Sequence, residues 1–177
     1  MQFFIGIVPP KDYKQRVMDF QKQWKNHKNP TVVEPHITLK AQGGLTIDQN
    51  WMSKVESVCK MCSPFPIALG EPAFFGEDVL YLSMKSVELE ELHAKIVKFI
   101  NPDPPLIKKY FELDDYVPHM TLAKSDEVSG QDLKQMEKAA TKILSPYPTF
   151  DVHFIRVYQE IEPNTYEKLV DLSLASS

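Results

Sequence analysis

The chain has 177 residues, of which 43% are hydrophobic and 25% charged, with a net charge of −4 and a pI near 5.7. At a prior of about 150 residues per domain, that is one domain or two small lobes around a shared core. Such a chain needs no disulfide or metal staple to fold. Its acidity excludes a broad basic surface of the kind that wraps long duplex nucleic acid through many phosphates.

Cys59 and Cys62 are too few for a disulfide scaffold. The apolar run at 3–8 is too short for a signal-peptide core, and no stretch approaches the roughly 18 apolar residues of a membrane span. These features predict a soluble, cytoplasmic, monomeric protein. Residues 1–40 hold seven basic and three acidic side chains, +4, so the other 137 residues carry −8. That imbalance reads as a solvated helix face or as a flank attracting an anionic substrate.

In chain order, residues 2–8 read as a buried strand ended by Pro9-Pro10, which open a helix. Tyr13, Val17, Phe20 and Trp24 recur at helical spacing. Residues 31–41 read as extended, with Pro35 at a bulge or edge. Thr46 and Gln49 have capping-box spacing, which predicts a helix with Ile47, Trp51, Val55, Val58 and Cys62 on one face. Phe65–Leu69 and Val79–Lys85 read as strands joined by a loop through Gly70, Pro72 and Gly76. A third helix carries Leu89, Leu92, Ile96 and Phe99 or Ile100. Three prolines in 101–105 forbid helix and sheet and read as a linker. The segment through Tyr110 and Phe111 has no clear pattern. Val117–Lys124 reads as a strand. Ser129 and Asp132 form another capping box, opening a helix with Leu133, Met136, Ala140 and Ile143 inward. Phe150–Gln159 and Glu167–Leu174 read as the last strands.

The order repeats. His36-Ile37-Thr38-Leu39 is followed by a helix and Phe65; His119-Met120-Thr121-Leu122 is followed by a helix and Phe150. The His-to-Phe distances are 29 and 31 residues. This predicts an α+β fold across 1–177, a single bilobal domain with pseudo-two-fold duplication. Two antiparallel sheets face a central cleft with helices outside. One motif lies in each half, and the Pro-rich linker near 101–105 lies between them.

Both copies extend to Pro-His-x-Thr-Leu. From the chain's own residue frequencies, one chance copy is expected ~10⁻³ times and two ~10⁻⁶ times, so coincidence is a poor explanation. On a strand, positions i and i+2 share a face. His36 and Thr38 therefore point one way, as do His119 and Thr121, and facing lobes would bring all four together. Two imidazoles near pKa 6.5 can supply the base and the acid of an in-line displacement at phosphorus. Two hydroxyls can bind the non-bridging oxygens, and no metal is required. The alternative is half-buried histidines and threonines present for strand propensity.

With these residues in place, the chain resembles the two-histidine phosphoesterase superfamily, which includes 2′-5′ RNA ligase-like proteins and cyclic phosphodiesterases. The Phe3–Pro9 strand, the Phe74-Phe75…Val79-Leu80-Tyr81-Leu82 hairpin and the closing Tyr166…Leu169…Leu172-Ser173-Leu174 strand are similar too. The resemblance implies the bilobal duplicated fold, and metal-independent action on 2′,3′-cyclic phosphates, ADP-ribose cyclic phosphates or 2′-5′ linkages. It implies His36, Thr38, His119 and Thr121 as catalytic residues, no cofactor and no metal. RNA-binding members carry Arg-rich cleft rims; here Arg16 and Arg156 are the only arginines, which favours a small phosphorylated nucleotide over a long RNA.

Lys40 and Lys124 follow the two motifs and are candidate phosphate contacts. Lys40 falls on the His36 face of a regular strand; Lys124 does not fall on the His119 face. Arg156 and Tyr158 share a strand face, as cleft-rim or core residues, with Tyr158 able to stack on a base. Cys59-Lys60-Met61-Cys62 has redox spacing but lies at a helix end that does not activate thiols. His27, His93 and His153 read as structural or solvent-facing. Asp114 and Asp115 are candidates to hold a histidine tautomer. Competing readings are an RNA-end enzyme (2′-5′ ligase or phosphodiesterase), a phosphate-binding module without turnover, and a metalloenzyme using His36 and His119 with Glu34 or Asp115.

Overall fold

The computed structural model describes residues 1–24 and 32–175. His27, with the lysines beside it and the start of the expected extended segment at 31, lies outside the described residues.

The first strand, β1 (Phe3–Ile7), is buried throughout. After Pro9-Pro10, α1 (Lys11–Gln21) buries Tyr13, Val17 and Phe20, with Trp24 packed just beyond. The motif strand β2 is short, Ile37–Lys40, so the extended reading of 31–41 is corrected to those four residues. Helix α2 (Met52–Lys60) begins later than the Thr46 cap predicts. Thr46 spends its hydroxyl on Asp48, and Ile47 is 69% exposed, while Trp51, Val55 and Val58 are buried as expected.

Strand β3 runs unbroken from Phe65 to Phe75, and β4 is Val79–Lys85. The loop expected through Gly70 and Pro72 is instead a register shift within their pairing, which absorbs the extra residues without ending the strand. In α3 (Val87–Ile100), Ser86 caps the start and the inward residue is Ile100, not Phe99, which is half exposed. The prolines of 101–105 do not exclude a helix. Pro104 and Pro105 occupy the first turn of α4 (Pro104–Lys109), where no N–H partner is lost.

Strand β5 (His119–Lys124) carries the second motif. Helix α5 (Gly130–Ile143) is capped by Ser129 Oγ, which accepts from the Asp132 N–H; Leu144 rather than Ile143 turns inward. The single strand expected at 150–159 is two, β6 (Thr149–Val152) and β7 (Phe154–Glu162), broken at His153 because they join different sheets. Strand β8 (Thr165–Ser173) completes the chain.

Two four-stranded antiparallel sheets result, ordered β2-β1-β7-β8 and β5-β4-β3-β6. The unit β1-α1-β2 has its counterpart in β4-α3-β5. Strands are then exchanged between the halves: β3 joins the second sheet, while β7 and β8 join the first and β6 stays in the second. Each sheet therefore mixes both halves of the chain, and each motif strand lies at an edge. The helices cross as well, α1 packing on β5 and α3 on β2. One hydrophobic cluster, including Phe3, Ile37, Leu82, Met120 and Val157, runs through both sheets. Among the described residues, no helix is long and apolar enough to cross a membrane.

Candidate active site

Strands β2 and β5 meet edge to edge, and their histidines are held alike. His36 Nδ1 lies 2.8 Å from the Glu34 carbonyl and His119 Nδ1 lies 2.7 Å from the Val117 carbonyl. A carbonyl only accepts, so each Nδ1 carries the proton and donates. Each Nε2 is left as the unprotonated nitrogen. Asp114 and Asp115, considered for this task, stand on a 3₁₀ turn at Leu113–Asp115; backbone carbonyls two residues before each histidine hold the tautomers instead.

His36 packs against Phe4, with ring centroids 4.8 Å apart, and Phe4 stacks on Tyr158 at 4.5 Å. His119 meets the edge of Phe75 at 4.8 Å, and Phe75 stacks on Tyr81 at 4.1 Å. Gly6 makes the first arrangement possible. A Cβ there would lie 3.1 Å from the Ile37 carbonyl, 3.2 Å from the Tyr158 ring and 3.5 Å from the His36 ring.

Both motif strands carry a bulge at the same point. In β2, Gly6 faces Thr38 and Ile5 faces Lys40, which leaves Leu39 as the extra residue. In β5, Tyr81 faces Thr121 and Leu80 faces Ala123, which leaves Leu122 extra. A bulge inverts the alternation beyond it. The fourth position after each histidine (Lys40, Ala123) turns inward, and the fifth (Ala41, Lys124) reaches the cleft.

The expectation for the two lysines is therefore reversed. Lys40 has no exposed surface and does not line the cleft that holds the two histidines. Its ammonium donates to the carbonyls of Ala41 (2.9 Å) and Gly43 (2.5 Å) and to Glu112 Oε1 (2.7 Å). Lys124 lines the cleft.

That cleft, about 660 Å³, is walled by His36, Thr38, His119 and Thr121, with Phe4, Phe75 and Tyr166 as its aromatic sides. No motif in the sequence marks Phe4, Phe75 and Tyr166 as cleft residues. Because β1 is buried on both faces, its pattern hides the one residue that borders a cavity.

Arg156 and Tyr158 are not cleft residues. Tyr158 is 1% exposed, its face covered by Phe4, and its hydroxyl donates to Glu34 Oε1 at 2.9 Å. Arg156 bridges Glu34 (2.6 Å) and Asp171 (2.7 and 2.9 Å), and Lys14 closes on the other Glu34 oxygen at 2.5 Å. The network stands behind the His36 ring and pins the residue whose carbonyl orients it. Burial alone would raise the Glu34 carboxyl, but hydrogen bonds from Lys14, Arg156 and Tyr158 hold it below the usual carboxylate range.

Burial lowers both histidines, His36 to about 4, and the Lys124 charge lowers both further. The Glu34 carboxylate opposes this at His36 alone. Of the other candidates, Cys59 is buried with its thiol pushed up to about 12 by burial, as expected of an inert cysteine. Glu34 is engaged as above, and among the described residues no group of three or more His, Cys, Asp or Glu is placed to hold a metal.

A duplicated antiparallel fold with one His-x-Thr strand from each sheet at a shared cleft defines the class. The chain belongs to the 2′-5′ RNA ligase superfamily, whose family model matches residues 9–164. Among solved structures it is similar to TT0787 of Thermus thermophilus, at 15% identity, 98% coverage of both chains and a TM-score of 0.68. It is also similar to E. coli LigT complexed with 3′-AMP, at 14% identity, covering 99% of this chain and 98% of that one, TM-score 0.63. Curated proteins give no significant match.

Proposed function

We propose that the protein is a metal-independent phosphodiesterase that opens a 2′,3′-cyclic or ADP-ribose cyclic phosphate by general acid–base catalysis with His36 and His119. The observation that carries this reading is the matched pair of imidazoles, each anchored through Nδ1 to a carbonyl, each beside a threonine, on one cleft.

In this reading His119 Nε2 takes a proton from water as the oxygen attacks phosphorus. The bond to the 2′ oxygen breaks on the opposite side, and His36 gives that oxygen a proton. The products are the ring-opened phosphate monoester and a free hydroxyl, and the base proton returns through solvent. Thr38 and Thr121 hydroxyls and the Lys124 ammonium hold the non-bridging oxygens. The Glu34 carboxylate favours the charged form of the His36 ring and offsets part of the effect of its burial. Burial keeps His36 neutral in the free protein, so its proton arrives when the anionic phosphate enters.

A small nucleotide-type substrate suits the cleft. Neither arginine borders it: Arg16 donates to the Ser145 carbonyl and Arg156 is held by Glu34 and Asp171. Asp126 and Glu127 stand near Lys124 on the rim. Solved structures of E. coli LigT, a fold relative, hold 3′-AMP, ATP and phosphate. The protein is read as a cytoplasmic monomer acting without cofactor.

The test is turnover of 2′,3′-cyclic nucleotides, ADP-ribose cyclic phosphate and 2′-5′ dinucleotides in the presence of chelator. His36→Ala and His119→Ala should each lose about 10²–10⁴-fold in kcat. Full activity in either variant overturns the reading. Steep salt dependence with a preference for oligonucleotides selects the RNA-end enzyme instead. Nucleotide binding without product selects a binding module.

A further inference from the structure

The segment that lies between α4 and β5 is tied to the first motif strand directly at two points and at a third through His93 of α3. Glu112, 3% exposed, pairs with Lys40 at 2.7 Å. The Leu113 N–H donates to His93 Nε2 at 2.9 Å. The Tyr116 hydroxyl donates to the Thr38 carbonyl at 2.8 Å. One residue later, the Val117 carbonyl receives the His119 proton. The same short stretch thus touches the strand of one histidine and orients the other. Phe111 and Leu113, on either side of Glu112, are non-glycine residues at φ of +52° and +59°. Backbone of that kind persists where its surroundings over-determine it.

His93 is the centre of these ties. Because Nε2 accepts from Leu113, the ring proton sits on Nδ1, which donates to the Leu39 carbonyl at 2.7 Å. The Tyr116 ring lies flat on His93, with centroids 3.7 Å apart and planes 6° apart. Leu39 is the bulge residue of β2. Its counterpart in β5 is Leu122, and that carbonyl receives a hydrogen bond of 2.9 Å from Gln21 Nε2. Two unlike side chains, on the two crossed helices, do one task at equivalent carbonyls.

Building on the catalytic reading above, we propose that His93 and Tyr116 are positioning residues, which hold the Leu39 and Thr38 carbonyls and thereby the bulge that keeps His36 and Thr38 facing His119 and Thr121. Gln21 does the same for the second strand. A glutamine at position 93 can replace both functions of the imidazole, donating through its amide nitrogen and accepting through its oxygen.

The experiment compares wild type with His93→Leu, His93→Gln, Tyr116→Phe and Gln21→Leu. It measures cyclic phosphate turnover and follows the His36 and His119 ring titrations by NMR. His93→Leu should lower kcat by roughly 10–100-fold with little change in KM, since small misplacements at a reacting centre cost that much. It should move the His36 titration and leave His119 unmoved. Gln21→Leu should do the converse. His93→Gln should stay within about threefold of wild type. Tyr116→Phe keeps the stack and loses one hydrogen bond, so it should move kcat and the His36 titration in the direction of His93→Leu by a smaller factor. It also serves if His93→Leu does not fold. Folded variants with wild-type kcat and unmoved titrations overturn the proposal, as does His93→Gln being as impaired as His93→Leu. If the wild type turns over no cyclic phosphate, the catalytic reading fails, while the ring titrations still decide whether these residues position His36.

Discussion

Arg156 donates to Glu34 at 2.6 Å, and the backbone of that same Glu34 accepts the His36 proton. The ion pair and the group that orients an imidazole therefore belong to one residue. Lys14, Tyr158, Asp171 and Lys168 extend it into a network.

Arg156→Met should unlock this arrangement. It leaves Glu34 with Lys14 and Tyr158, and leaves Asp171 with Lys168. Loss of charged hydrogen bonds at partly buried positions predicts about 1–3 kcal/mol of lost stability. The kcat should fall with it, because the Glu34 carbonyl is freed to move. Urea denaturation and steady-state kinetics on the same variant check both. A stable variant with unchanged kcat would show that the network is independent of His36.

The two lysines after the motifs should behave in opposite ways. Lys40→Met leaves the Glu112 carboxylate buried without its cation, a change that costs about 3–5 kcal/mol. Pairing it with Glu112→Leu should recover most of that loss, since both charges are then gone. Lys124→Ala should leave the melting temperature near wild type. It should weaken use of a phosphate substrate by roughly 10–100-fold, the worth of one hydrogen bond to a charged group. Thermal melts and kcat/KM of the three variants separate the roles.

Acidification should weaken the fold before Glu34 and Asp171 titrate. His93 is held near 4 by burial, against 6.5 for a free imidazole, and His36 also lies at about 4. A depressed histidine favours the folded state fully above about 6.5, and that contribution is lost as pH falls toward 4. Glu34 and Asp171 sit below their ordinary values, so their contributions disappear only at lower pH. Stability measured by urea denaturation should therefore decline between pH 6.5 and 4. The slope should be shallower in His93→Gln, which has no proton to gain at that position. Equal slopes in the two proteins would mean that His93 does not titrate there.

Read alone, the chain specifies its fold class and the paired motif on which the proposed chemistry rests. Pro-His-x-Thr-Leu occurs twice with near-equal spacing to the next strand, and local alternation puts each His and Thr on one face. Helical stripes such as Tyr13-Val17-Phe20 and Leu89-Leu92-Ile96 are legible for the same reason: they depend on the period of one element. Whatever depends on two elements at once emerges only in the folded molecule. A bulge exists only in the pairing of two strands, so the exchange of Lys40 for Lys124 could not be read from β2 or β5 alone. The same holds for Tyr158, which looked able to meet a base until Phe4 from the neighbouring strand covered it. His93 and Gln21 each sit more than fifty residues from the carbonyl they hold, on helices that cross to the opposite sheet. Long-range hydrogen bonds of this kind leave no periodicity in the chain.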